Sequence, residues 1–164
     1  MDTIDWTSFS RKIAVKSTVQ LIYDAWTKSS EIEKWFLLMS SFHSPDGQLL
    51  NPDKSVSKGD SYIWSWYLYD GIEGGKITEA NGTDHLQFTF AGNCLVDIEL
   101  KQQDEYVIVL LTQKNIPTDN MSKKNIRLGC DRGWSFFLLN LKLFYENGID
   151  LRNRNPEFKG MVNN

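Results

Sequence analysis

SKKNIRLGCDRGWSFFLLNLKLFYEN, residues 122–147, carries the strongest periodicity in the chain and decides its fold. Ile126, Cys130, Gly133, Phe137, Leu141 and Phe144 recur at steps of three and four residues, and Trp134, Leu138 and Tyr145 widen the stripe. The spacing predicts a helix with one broad buried face. Pro117, Thr118 and Asp119 supply a start. Asn147 with Gly148 supplies the stop, since glycine takes the left-handed conformation that closes a helix end. Such a helix is roughly 40 Å long at about 1.5 Å per residue. Gly129 and Gly133 lie four apart, almost in line with the stripe, and each costs about 1 kcal/mol relative to alanine in a helix interior. Two arrangements account for glycine there: another backbone crosses closely, or the missing side chains leave a hollow.

Working back from the helix, the apolar period changes to two. Val107, Val109, Leu111 and Gln113 alternate with Ile108, Leu110 and Thr112, and Cys94, Val96, Ile98 and Leu100 alternate with Leu95, Asp97, Glu99 and Lys101. Leu86, Phe88 and Phe90 form another inward row, and Asn81-Gly82 is a strong hairpin turn. Tyr62, Trp64, Trp66 and Leu68 alternate with Ile63, Ser65, Tyr67 and Tyr69, which predicts a strand to Tyr69. Asp70, Gly71, Gly74 and Gly75 then read as turn residues before a short strand, Lys76 to Glu79. Successive hairpins predict an antiparallel meander.

Residues 37–60 are irregular, punctuated by Pro45, Asp46, Gly47, Pro52 and Gly59; a loop of that length is characteristic of a lid, the alternative being a short strand around Met39 to Phe42. Further upstream, Phe9 to Lys16 reads as a strand with Phe9, Ile13 and Val15 on one face. Ser17 or Thr18 caps a helix carrying Val19, Ile22, Tyr23 and Trp26, and Ser29 or Ser30 caps a second carrying Ile32, Trp35 and Phe36. Beyond Gly148 periodicity stops, so a flexible tail is expected after an ordered core of about residues 8–151 in a single domain, 1–164.

A chain of 164 residues can bury a substantial core, about 70% of the surface its unfolded form exposes. Aromatic residues at 13%, six of them tryptophan, suit either a wide packed core or an apolar pocket lining. A net charge of -3 and a pI near 5.4 argue against nucleic acid as a partner, which requires a clustered basic face. Met1 to Thr7 is too short and acidic for a signal peptide, and no apolar run reaches the length of a membrane span. Cys94 and Cys130 fall on apolar faces as free thiols, so a cytoplasmic, reducing setting is expected.

The order of elements defines an α+β fold: a strand, two short helices, further antiparallel strands and a long helix near the C-terminus. A strongly twisted sheet curves around that helix and tends to leave a hollow, which Gly129, Cys130 and Gly133 would keep open. This order resembles the helix-grip (SRPBCC) superfamily that includes START lipid-transfer domains and aromatic polyketide cyclases. Within it the chain is similar to the bacterial branch related to the activator of the heat-shock-protein-ninety ATPase. The residues that carry the resemblance are Glu33 to Phe36, Tyr62 to Trp66, Phe88 to Gly92, Gln113 to Thr118, and Gly129, Cys130, Gly133, Trp134, Asn140 and Leu141. The resemblance implies a curved antiparallel sheet wrapped around the long helix, with a hydrophobic cavity between them. A chaperone interaction is not implied with it, because the eukaryotic activator uses a separate N-terminal domain for that.

The expected ligand-facing residues are Trp35 and Phe36 after the second helix, Tyr62, Trp64, Trp66, Phe88, Phe90, Cys94 and Gln113 on the sheet, and Cys130, Gly133, Trp134 and Phe137 on the long helix. The same aromatics serve equally as core. Gln113, an amide on an inward row, is either satisfied structurally or orients a ligand, since an unpaired buried amide costs about 1–3 kcal/mol. His43, His85 and the two cysteines lack metal-ligand spacing, and Gly71, Gly74 and Gly75 precede no helix that could bind phosphate, so no metal or cofactor is expected. The inward rows offer almost no acid or base, and no catalytic residue is assigned. The leading expectation is therefore non-catalytic binding of a lipid, isoprenoid or aromatic, polyketide-like molecule, with residues 37–60 gating the cavity. The alternatives are a cyclase or dehydratase acting in the same cavity through tyrosine or glutamine, and a partner-binding or co-chaperone module using Tyr67 and Tyr69.

Overall fold

The computed structural model describes residues 4–164. Strand β1 (Phe9–Lys16) leads into helices α1 (Val19–Thr27) and α2 (Ser29–Ile32), followed by β2 (Met39–His43), β3 (Ser61–Ser65), β4 (Ile72–Ala80), β5 (His85–Phe90), β6 (Cys94–Gln103) and β7 (Tyr106–Lys114). The strands form one antiparallel, curved sheet in the order β1-β7-β6-β5-β4-β3-β2. A long helix then runs through α3 (Asn120–Ser122), a π-helical stretch (Lys123–Leu128) and α4 (Gly129–Asn147). Asp119 caps its first turn by accepting the Ser122 N–H at 3.0 Å, and Gly148 closes it at φ 68°.

The period-two rows face inward as read: Cys94, Val96, Ile98 and Leu100 on β6, and Val107, Val109, Leu111 and Gln113 on β7, are all buried. Asp97, on the opposite row, is also buried, held by Lys114 at 2.7 Å and His85 at 3.0 Å.

The local signals failed in three places, each with a physical reason. The strand expected to reach Tyr69 stops at Ser65, because the chain leaves the sheet and Leu68 takes a left-handed φ of 58°. Gly74 and Gly75 are strand residues of β4, not turn residues. A Cβ on Gly75 would stand 2.6 Å from the Tyr62 hydroxyl and from Thr89 Oγ1, so the bare backbone is what seats Tyr62. Neither Ser29 nor Ser30 caps α2: Lys28 ends α1, its N–H bonded to Asp24 O, and begins α2 in the same residue, leaving no room for a separate cap. At α1 the cap is Thr18, which accepts from Leu21 N at 3.4 Å.

Two polar fasteners hold the long helix. Near its middle, Trp134 Nε1 donates to Gln113 Oε1 at 2.9 Å. Towards its end, the fully buried Asn140 donates to Trp35 O at 2.6 Å and accepts from Leu151 N at 2.7 Å. Past Gly148, where periodicity is lost, Arg152 is buried and donates to the carbonyls of Leu37, Glu33 and Lys34 at 2.8, 3.0 and 2.9 Å. It also pairs with Asp150 at 2.8 Å. Burial pushes the Asp150 carboxyl up, but hydrogen bonds from Arg152, Asn140 and Arg154 outweigh it and hold the group well below the usual carboxylate range.

Two outcomes are expected. Gly75→Ala forces Tyr62 or Thr89 from its place and lowers stability by about 1–3 kcal/mol in urea titration, with the fold retained. Because the folded-state pKa of Asp150 is depressed, its stabilisation is present above an unfolded value of about 4 and is lost as pH falls through the folded one. Asp150→Asn should therefore be less stable near neutrality and show a shallower loss of stability between about pH 5 and pH 2 than the parent protein.

Candidate ligand cavity

The sheet and the long helix part around a cavity of about 430 Å³. Asn125 of the π-helical stretch and Gly129, Cys130, Gly133, Trp134 and Phe137 of α4 form one wall. Glu73 of β4, Phe90 of β5 and the following Ala91 form the other, with Phe36 behind and residues 66–69, Ile72 and Asn164 about the mouth. The two helix glycines face space: a Cβ on Gly133 meets no atom within 4 Å, and one on Gly129 meets only Lys124 O at 3.9 Å. No second backbone crosses there, so the hollow, not the close approach, accounts for them.

Aromatic contacts build the lining. The Phe36 ring centroid lies 4.7 Å from that of Phe137, 5.2 Å from Trp134 and 5.6 Å from Trp66, and Phe90 lies 5.1 Å from Trp134. Edge-on and tilted packing of this kind is favourable.

Of the residues expected to face a ligand, Phe36, Trp66, Phe90, Cys130, Gly133, Trp134 and Phe137 come together on the cavity wall. Trp35, Tyr62, Trp64, Phe88, Cys94 and Gln113 stand in the core behind it, all buried. Trp64 stacks on Tyr62 at 3.9 Å between centroids and meets Phe88 edge-on at 5.3 Å, while the Tyr62 hydroxyl donates to Thr89 O. Burial raises the Tyr62 phenol well above its ordinary range, and the nearby Glu73 carboxylate adds to that. Gln113 spends its oxygen on Trp134, and its Nε2 has no hydrogen-bond partner among the described residues. Burial also raises both thiols, Cys94 in direction and Cys130 to about 11.

The segment expected to gate the cavity does not line it. Residues 37–60 contribute nothing to the cavity wall; β2 occupies part of the segment, and Leu50 and Val56 pack into the core. Tyr67, Leu68 and Tyr69, in the link between β3 and β4, and Ile72, which opens β4, line the cavity, with Tyr69 and Ile72 exposed at its edge. Tyr67 and Tyr69, read as an outer contact patch, thus border the cavity, and the Tyr67 ring lies 4.6 Å from the Arg154 guanidinium.

Glu73 was missed because the surrounding glycines read as a turn. A usable signal was present: stepping back by two from the buried Ile77 through Gly75 places Glu73 on the same face. Its Oε1 accepts the Ala91 N–H at 2.7 Å.

A curved antiparallel sheet gripping a long helix around an aromatic-walled cavity defines a protein of the helix-grip class. The chain belongs to the activator of Hsp90 ATPase homolog 1-like family, whose model matches residues 16–146. Its fold is similar to the solution structure of the Aha1 dimer from Colwellia psychrerythraea, with a TM-score of 0.66 at 19% identity over 86% of this chain and 97% of the other. It is also similar to an HSP90 activator from Plasmodium falciparum, with a TM-score of 0.62 at 17% identity over 84% and 95%. DynU16, from the dynemicin biosynthetic locus, gives a TM-score of 0.68 at 18% identity over 90% of this chain and 50% of that one. No curated protein matches in sequence. Among the described residues no helix is long and apolar enough to cross a membrane, and no group of His, Cys, Asp and Glu side chains is placed to hold a metal ion.

Burial keeps the Cys130 thiol protonated near neutrality. At pH 8 its alkylation by iodoacetamide, followed by mass spectrometry, should be on the order of a hundredfold slower than that of a free cysteine, because its thiolate fraction is that much smaller.

Proposed function

We propose that the protein binds an apolar small molecule in this cavity and does not transform it. The observation that carries the reading is the open space in front of Gly133, walled by Phe36, Trp66, Phe90, Trp134 and Phe137. Glycine at a helix-interior position that no backbone approaches costs stability and leaves room that a larger side chain would fill. An apolar molecule in that room gains about 25 cal/mol for each Å² it removes from water. The lining suits a lipid tail, an isoprenoid or an aromatic, polyketide-like ring system.

A cyclase or dehydratase acting in the same cavity is the second reading, favoured by Glu73, the carboxylate on its wall. It requires turnover that disappears when Glu73 is neutralised. A chaperone-binding role, suggested by the family's description, would use an outer surface and be indifferent to the cavity's volume.

Gly133→Leu separates these readings. A leucine here improves helix propensity by roughly 1 kcal/mol and enters free space, so the variant should fold and melt no lower than the parent. Binding of fatty-acid and polycyclic aromatic probes, read by tryptophan fluorescence and native mass spectrometry, should weaken about tenfold or more. Unchanged probe binding by a folded Gly133→Leu protein would remove the cavity as the site.

A further inference from the structure

Glu73 is at odds with the rest of the cavity. It is the one lining side chain, among the described residues, that carries a full charge. Its Oε1 is fixed by the Ala91 N–H at 2.7 Å, in the turn where Ala91 itself holds a left-handed φ of 52°. Its Oε2 has no hydrogen-bond partner, and no Lys, Arg or His lies within ion-pair distance of the carboxylate, among the described residues. The guanidinium groups of Arg152 and Arg154 lie over the Tyr67 ring at the mouth, but both are paired with Asp150.

The free oxygen of a carboxylate in that position is satisfied only while water reaches it. A purely apolar molecule that filled the cavity would strip that water and leave the charge unsolvated beside aromatic rings, which opposes binding. A ligand bringing a cationic donor removes the penalty and gains a charge-assisted hydrogen bond. The aromatic side chains of Trp66 and Phe90 on the same walls favour a cation as well.

We propose that the molecule this cavity takes is an aromatic or lipid-like amine, its protonated nitrogen seated on the free oxygen of Glu73 and its apolar body against the helix glycines. The inference rests on the cavity-binding reading and narrows its ligand class.

Two probes with one ring system test it: 2-(1-naphthyl)ethylamine, charged at pH 7, and 2-(1-naphthyl)ethanol, neutral and of equal length. Binding of each is measured by tryptophan fluorescence and calorimetry on the full chain and on Glu73→Gln, which keeps an oxygen for the Ala91 N–H. The full chain should bind the amine roughly tenfold more tightly than the alcohol. Glu73→Gln should erase that preference and bind the alcohol at least as tightly as the parent does, since the charge that opposes a neutral occupant is gone, which also shows that the variant is folded. Equal binding of the two probes by the parent, or an amine preference that survives in Glu73→Gln, would overturn the assignment and leave the cavity reading standing. Binding of neither probe by the parent would overturn both.

Discussion

The buried hydrogen bond from Trp134 Nε1 to Gln113 Oε1 is the interaction on which the geometry of this protein depends. Gln113 sits on β7 with Phe9 of β1 on one side and Val96 of β6 on the other, on the inner face of the sheet. Trp134 stands on the long helix between the levels of Gly133 and Phe137. Breaking the pair would leave an indole N–H and an amide oxygen unsatisfied inside the protein, so the helix is held at the distance an indole spans. At Gly133, the residue before Trp134, and at Gly129, one turn further toward the N-terminus, glycine offers nothing to bridge that distance, and a hollow results.

The far end of the helix is fastened by polar groups of a different kind. Asn140 joins the helix to Trp35 O and to the returning chain at Leu151, and Arg152 gathers three carbonyls from the end of α2 and the segment after it. A buried guanidinium is tolerable because each of its nitrogens has a partner, a carbonyl or Asp150. The same segment carries Phe36, whose ring meets Trp66, Trp134 and Phe137. The polar lock therefore positions the ring at the back of the cavity, and the cavity's shape follows from hydrogen bonds that lie outside it.

Family membership and structural likeness bear on different levels. The family match covers most of the chain, whereas likenesses at 17–19% identity establish the backbone arrangement alone. Neighbours described by chaperone activation and by a biosynthetic locus share that arrangement, so the arrangement by itself assigns no role to this chain.

The sequence by itself determined the long helix, its cap and stop, the inward rows of β5, β6 and β7, and the α+β order, because each depends on periodicity within one element. It also marked Gly133 and Trp134, whose residue types are costly or conspicuous wherever they fall. Only the tertiary structure decided that Gly133 faces space and not a neighbour, that Gly75 is bare to seat Tyr62, and that residues 66–69 and Ile72, not 37–60, border the cavity. It alone separated Phe36, Trp66 and Phe90 on the wall from Trp35, Trp64 and Phe88 behind it. Alternation along a strand tells which side a ring is on, but how far the opposing layer stands from that ring is set by contacts between residues distant in the chain, such as Trp134 with Gln113 and Arg152 with Leu37.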